Sequence, residues 1–364
     1  MPPWGAPVLR LRRGRVTSAE APSAWQALTV EVDGEARPAQ ADTALVGPCE
    51  AGDEVVVNVE ARDLQLGSGG FDVVHVNLTR GLGGKGMPGA HVMKLNYTSL
   101  QHAVLPAEGR DLKTPLGRPV GVFQLHGQLA PVAWALGQAP GGRDRIKVGY
   151  VQTAGGALPG GMSDTVRQLL NRGLLAGHTT AGPAYGGGQE AITTASAIHD
   201  GLTAEGWDVA LVGPGPGILG SGSALGHGGI VALDTAHAAL ALGCPTVLTA
   251  RMSSGDPRER HRGLSHHTRT VLDLLLRPVT LAVPPGVRLF SEMDGIGPAL
   301  DAARAAGHDV VESPVDVEGY RASGLPTRTM GRTLDEDRLF FAAALAAGGV
   351  LAELLGSEPQ PPAA

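Results

Sequence analysis

Residues 207–251 read WDVALVGPGPGILGSGSALGHGGIVALDTAHAALALGCPTVLTAR, and the order of signals in that stretch decides the fold. An apolar run, WDVALV, gives way to a loop rich in glycine and proline. Ile230, Leu233, His237 and Leu240 then recur at helical spacing, and a second apolar run, PTVLTA, follows. Strand, helix and strand in that order make a βαβ unit, with parallel strands and the helix laid across one face. The rhythm continues on both sides. VGVFQL from Val120, IKVGYV from Ile146, a weaker strand near Thr179, VTLAV from Val279 and HDVVES from His308 are all strand-like. The helical stretches between them include Asp164 to Leu175, where Val166, Leu169, Leu170 and Leu174 share a stripe, and a closing helix of roughly Asp335 to Leu355. Residues 120–356 are therefore expected to form an α/β domain: an open, mainly parallel, doubly wound, Rossmann-like sheet with helices on both faces.

The sequence before Val120 has a different period. ALTVEVDG, EVVVNVEA and FDVVHVNL are short runs rich in Val and Thr, punctuated by DG, AGD and GSGG turns. Val55, Val57 and Val59 alternate with Glu54, Asn58 and Glu60, as in strands with one buried face. Residues 1–111 thus read as a β-rich domain, a small barrel or sandwich. Residues 112–119, within RDLKTPLGRP, read as a linker, and 357–364 as a disordered tail.

Composition narrows the function classes. A chain of 364 residues with 43 % hydrophobic side chains suits two domains with real cores. Its net charge of -6 argues against a dedicated nucleic-acid binder. Cys49 and Cys244 are too few for a disulfide framework or a thiolate metal cage, and both are expected to be buried. The opening MPPWGAPVLRLRRGRV has no apolar stretch ahead of its arginines, so it does not read as a secretory signal. No uninterrupted apolar run reaches the roughly 18 residues of a membrane span. The cytoplasm is the default expectation, and a homo-oligomer is left open.

In an open parallel sheet, ligands bind beyond the carboxyl ends of the strands. His126 follows VGVFQL, and Thr153, Gly155 and Gly156 follow IKVGYV. Gly186, Gly187 and Glu190 follow the weak strand, Gly215, Gly217 and Ser221 follow WDVALV, and Arg251 opens the segment after PTVLTA. Loops at the opposite ends are plainer, so one polar cleft is expected on this edge. Gly215-x-Gly217-x-x-Gly220 formally matches a dinucleotide fingerprint. Pro214 and Pro216 remove amide donors there, however, and the loop runs on past Ser221 before any helix begins. NAD or FAD is not expected; amides from Ser221 to Gly229 offer an anion nest instead.

The densest ionisable segment is 251–269, with Arg251, Arg258, Arg260, Arg262 and Arg269 against Asp256 and Glu259, plus His261, His266 and His267. Arginine forks suit a small anionic ligand. Histidine moves protons at neutral pH and is also the commonest metal ligand. No two of these histidines stand at i, i+4. A divalent metal would therefore need ligands from several loops, with His126, Asp164, His261 and His266 as candidates and Glu190 nearby. The plainer alternative is a solvated charged loop in which His266 caps the next helix. Structural roles are expected for His75, His91, His199, His237 and His308.

The stretches NLTRGLGG, HVMKLNYTSLQHAV, TAGGALPGGMSD, YGGGQEA and above all DPRERHRGLSHHT resemble an uncharacterised bacterial family designated domain of unknown function 3866. The resemblance extends over nearly the whole chain except the tail. It implies an acidic residue where Ala154 stands, another at Gly188 and a histidine at Pro183, while His126, Glu190, His261, His266 and His267 match. The family implies a site without implying a reaction.

The expected function is an enzyme, hydrolase or group-transfer in type, acting on a small anionic or phosphorylated metabolite. Arg251, Arg258 and Arg262, with Asp256, would hold the charge, while His126, Glu190, His261, His266 and His267 are the catalytic candidates. Thr153 and the loop glycines would position the ligand. The alternatives are a ligand sensor without turnover, or an interaction platform whose arginine patch meets an acidic surface or RNA.

Overall fold

The computed structural model describes residues 8–65, 70–109, 111–139, 145–287 and 295–356. The expected disordered tail, 357–364, lies outside the described residues. The chain divides into two compact units, Met1–Leu105 and Pro106–Ala364.

The first unit is a closed barrel of five strands, β1 (Leu11–Ala19), β2 (Trp25–Val32), β3 (Glu35–Asp42), β4 (Glu54–Asn58) and β5 (Asp72–Asn77). Their order is β1-β2-β3-β5-β4, and β4 pairs back onto β1. Only the β3–β5 pair is parallel. The three runs legible in the sequence are β2, β4 and β5. In β4, Val55 and Val57 point inward and their neighbours do not, as the alternation required. Asp33 and Gly34, with φ of 51° and 81°, turn β2 into β3, the left-handed pair that a two-residue hairpin needs. β1 escapes sequence reading because it is LRRGRVTSA and buries only Val16 fully. A short antiparallel pair, β6 (Val92–Lys94) and β7 (His102–Val104), completes this unit.

The second unit is built on an eight-stranded, wholly parallel sheet. In chain order its strands are β8 (Val120–Val122), β9 (Val148–Thr153), β10 (Gly177–Ala181), β11 (Gln189–Ala191), β12 (Val209–Pro214), β13 (Thr246–Thr249), β16 (Thr280–Val283) and β17 (Asp309–Glu312). They lie side by side as β11-β10-β9-β12-β8-β13-β16-β17. The intervening β14 (Met252–Ser253) and β15 (Gly263–Leu264) form a separate small hairpin. Strand residues alternate between two cores: Val120, Val122, Val151, Ala210, Val212 and Leu248 face one, and Tyr150, Val209, Leu211 and Val247 the other. Apolar side chains on both faces are what continuous runs such as WDVALV require.

Helices Thr194–Thr203, Val231–Ala241, His266–Leu274 and Ile296–Ala305 cover the first core, and Leu129–Gln138, Asp164–Asn171 and Val317–Ala322 the second. Two helix readings are corrected. The helix from Asp164 stops at Asn171, before Gly173 at φ 66°, so Leu174 is buried from the turn, not from the helical stripe. In Val231–Ala241 the buried face is Ala232, Thr235, Ala236 and Ala239, with Leu233 and Leu240 only partly covered. That helix crosses β12, β8 and β13, and small side chains let its backbone come close.

The closing helix, Arg338–Gly356, is long and apolar enough by length and composition to cross a membrane, but two thirds of its apolar window (67 %) is buried in this fold. Gly348 packs against the Val132 carbonyl and the Ala135 side chain. Residues 112–119 run along this unit. The Lys113 amide donates to His199 Nε2, and those of Leu116 and Gly117 to the carbonyls of Leu242 and Gly243. Cys49 and Cys244 are free and buried, and burial pushes the Cys244 thiol up to about 12.

Trp207, 2 % exposed, sits in a socket of glycines: a Cβ at Gly149 or Gly201 would overlap its indole, and one at Gly177 would stand 3.0 Å from it. Gly149→Ala should therefore cost ~1–3 kcal/mol, the usual penalty for overpacking a filled core. In thermal unfolding the variant should melt several degrees below wild type, and an unchanged melting temperature would contradict this packing.

Candidate functional site

The connection after β9 leads to the helix Asp164–Asn171 on one face, and that after its neighbour β12 to Val231–Ala241 on the other. Adjacent strands whose connections leave in opposite directions open a crevice at their carboxyl ends. One side chain ties this edge together. Thr268 Oγ1 donates to Gln124 Oε1 (2.7 Å) beyond β8 and accepts from the Arg251 amide (2.9 Å) beyond β13. The start of the helix His266–Leu274 is thereby held over both strand ends. Its cap is Ser265, whose Oγ accepts from the His267 amide; His266 is the first helical residue, not the cap.

Four imidazoles gather above this tether. His261, His266 and His267 come from the segment after β13, and His227 from the loop after β12. Ring centroids lie 4.8 Å apart for His261–His266, 4.4 Å for His266–His267 and 4.9 Å for His261–His267. His227 stacks flat on His267 at 3.4 Å and stands 5.8 Å from His266. His227 Nε2 donates to the Ala224 carbonyl, His261 Nδ1 pairs with Ser265 Oγ, and Arg251 Nη1 donates to His267 Nδ1. Among the described residues, three buried polar atoms in this group have no partner: His227 Nδ1, His266 Nε2 and Gln124 Nε2. Native interiors rarely leave such atoms unsatisfied. Burial, then the charge of Arg251, pulls His261 down to about 3. Burial followed by His227 and nearby arginines pulls His266 to about 4, and His227 and His267 are lowered as well. All four rings are neutral at pH 7.

The arginines divide by role. Asp256, fully buried, receives Arg258 through Nε, Nη2 and the backbone amide, and Arg332 through Nη2. Asp337, also buried, accepts from Ser253 Oγ, the Ser254 amide and Arg332 Nε. Arg258 and Asp256 thus brace each other. Arg251 is 3 % exposed, with Asp256 3.9 Å away, and burial lowers it to about 10. Arg262 and Arg260 are exposed, and Arg260 lies beside Gly222.

The loop glycines serve backbone contact. A Cβ on Gly228 would collide with the Gly155 carbonyl, and one on Gly156 with that of Gly215. The Ala157 amide bonds to the carbonyls of Pro216 and Gly217. Ser221 Oγ donates to the Gly226 carbonyl, and the amides of Ser221, Gly226, His227 and Gly228 are all used within the loop. Within the expected anion nest at 221–229, these four amides are committed to the loop itself.

His126 belongs to a second network. Its Nε2 is 2.8 Å from Ser163 Oγ and its Nδ1 3.4 Å from the hydroxyl of Tyr150, which stacks on His178. Burial draws His126 down to about 4 and His178 to about 3. Glu190 accepts from Thr180 Oγ1 and the Gly186 amide, while the Gly187 amide bonds to Thr180. These bonds shape the loop beside a hollow of ≈ 120 Å³ whose lining includes Gly155, Gly156, Ala154, Pro183 and Tyr185. Thr153 is buried, its hydroxyl donating to the Ala154 carbonyl. Asp164 is exposed and pairs with Arg167. Sequence reading missed His227, Gln124, Ser265, Arg332 and Asp337. His227 stands in a Gly/Ser loop, and Asp337 lies 81 positions beyond Asp256, so no spacing signals either.

Burial alone would raise the Asp256 carboxyl, but Arg258 and Arg332 hold it well below the usual range. A carboxyl depressed on folding stabilises above its unfolded value of about 3.9 and loses that contribution as pH falls below it. Asp256→Asn should cost ~3–5 kcal/mol at pH 7, the usual result of breaking a buried pair. Denaturant unfolding across pH 3–7 should show the gap to wild type narrowing on the acid side. A gap independent of pH would refute the assignment.

No protein of curated function matches the chain in sequence. Residues 39–348 match the family described as "Protein of unknown function (DUF3866)", a span from the barrel's β3 through every loop of the carboxyl edge. The chain belongs to that family.

Proposed function

We propose that the α/β unit is an enzyme for a small anionic or phosphorylated metabolite, a hydrolase or group-transfer catalyst, with its reacting centre at the imidazole cluster beside Arg251. The observation that carries this reading is an uncompensated site. Among the described residues, Arg251, Arg258 and Arg332 share two buried carboxylates, Asp256 and Asp337, and the exposed Glu336 acts on Arg332 from the surface. A buried guanidinium short of counter-charge is costly, and an anionic group beside Arg251 would relieve it. The unpartnered Gln124 Nε2 offers that anion a donor, and the unpartnered nitrogens of His227 and His266 offer lone pairs to a hydroxyl or protonated oxygen. Neutral imidazoles inside a positive rim are suited to accept a proton from a bound hydroxyl or water. Arg258 enters as the brace for Asp256, and Arg260 takes the outer position.

A sensor without turnover has one specific support. Ala154 and Pro183, where the resemblance implies an acid and a histidine, both line the hollow beside the β9 loop.

A thermal-shift screen of phosphorylated and carboxylated metabolites tests the site. A ligand at 100-fold its Kd stabilises by ~2.7 kcal/mol, which should raise Tm by several degrees. Arg260→Ala should weaken that response. If no anion stabilises the protein and the Arg260 variant behaves as wild type, the anion site is wrong. Mass spectrometry of the stabilising ligand after incubation distinguishes enzyme from sensor: an altered ligand supports turnover, and an unaltered one supports sensing.

A further inference from the structure

We infer that His227, His261 and His266 form a site for one divalent transition-metal ion of the zinc class, and that His267 orients this site without ligating the ion. The inference goes beyond the anion reading and does not depend on it.

A metal takes the imidazole nitrogen that carries no proton, and the other nitrogen usually donates to an oxygen that fixes the ring. His227 has that arrangement. A carbonyl only accepts, so the bond from Nε2 to the Ala224 carbonyl places the proton on Nε2. Nδ1 is left bare, buried in a residue 6 % exposed, and without a partner. His261 is held by Ser265 through Nδ1, and the tautomer in which Nδ1 donates this bond leaves Nε2 for a ligand. His266 Nε2 is again buried and unpartnered. His267 differs from all three. Its Nδ1 accepts from Arg251, which places its proton on Nε2 and leaves it no bare nitrogen.

The spacing agrees. Zinc–nitrogen bonds of about 2.0–2.1 Å in tetrahedral directions put imidazole centres roughly 5 Å apart. His261 and His266 stand at 4.8 Å and His227 and His266 at 5.8 Å. One ring nitrogen of His261 and one of His266 lie within 4.8 Å of each other, so these two rings converge at bonding scale, and His227 brings its bare Nδ1 to the His266 side of the pair. The flat 3.4 Å stack of His227 on His267 has parallel lone pairs, which do not meet at a point. Only one ring of that pair can ligate, and the hydrogen bonds select His227. The two segments are locked independently of any ion: His227 pairs with Gly220 at the base of its loop, and His261 closes the 3-10 turn Glu259–His261. Arg251 beside the cluster would repel a bare cation, so the fourth position should hold hydroxide or an oxyanion.

The test uses the full chain, stripped with chelator and titrated with Co2+ alone. Wild type should bind one equivalent with the visible absorption of a tetrahedral nitrogen-ligated ion, and Zn2+ should displace it. His227→Ala, His261→Ala and His266→Ala should each weaken Co2+ binding at least ~10-fold. His267→Gln, whose side-chain carbonyl can still accept from Arg251, should keep the band, and so should His237→Ala, whose ring accepts from the Leu276 amide instead. Circular dichroism establishes which variants are folded; where an Ala variant is not, the Asn variant at that position replaces it. A wild type without a saturable band overturns the site. So does a band that survives loss of His227 or His266, and so does a folded His267→Gln protein that has lost it. None of these outcomes bears on the metabolite screen, which reads Tm with anions in chelator.

Discussion

Covering an eight-stranded parallel sheet on both faces is the constraint from which the rest of the second unit follows. Every central strand must present apolar side chains up and down, so polar chemistry is pushed to the strand ends. At the carboxyl edge, the two bonds of the Thr268 hydroxyl convert that general rule into a particular place. Gln124 ends one strand, Arg251 follows another, and the helix carrying His266 and His267 is hung between them. The imidazole cluster rests on this tether, and the ion pairs of Asp256 and Asp337 hold the Arg258–Arg332 side of the same platform.

The glycines acquire a different meaning in this setting. A loop rich in glycine beyond a parallel strand invites a phosphate-binding interpretation. Here Gly155 meets Gly228 and Gly156 meets Gly215, backbone on backbone, because any side chain would keep the loops apart. Their close approach carries His227 to the cluster. The glycines therefore act on the site through the positions they allow.

Electrostatics sets the chemical character of the cluster. Burial and the surrounding arginines keep all four rings neutral, and neutral rings supply lone pairs. The same arginines make the surroundings positive. A centre that offers electron pairs inside a positive rim is suited to an oxygen-rich anion, to an ion that carries such an anion, or to both. His126, with Ser163 and Tyr150, forms a second neutral network on the same edge.

The alternation in EVVVNVEA, the DG turn and the apolar runs from VGVFQL to HDVVES were sufficient for a β-rich unit followed by a doubly wound sheet, because these signals are local and periodic. β1 was not legible, since a strand that closes a barrel through backbone hydrogen bonds needs little apolar content. Local sequence also pointed to the segment Arg251–Arg269 as the chemical centre, through its density of Arg and His. The tertiary structure alone decided which residues in it are braces and which face the site. Arg258 is committed by Asp256, His267 by Arg251, and His227 arrives from a loop 34 residues before His261. The physical reason is that periodicity records how a residue meets its own element, whereas hydrogen-bond partners are chosen among groups that only folding brings together.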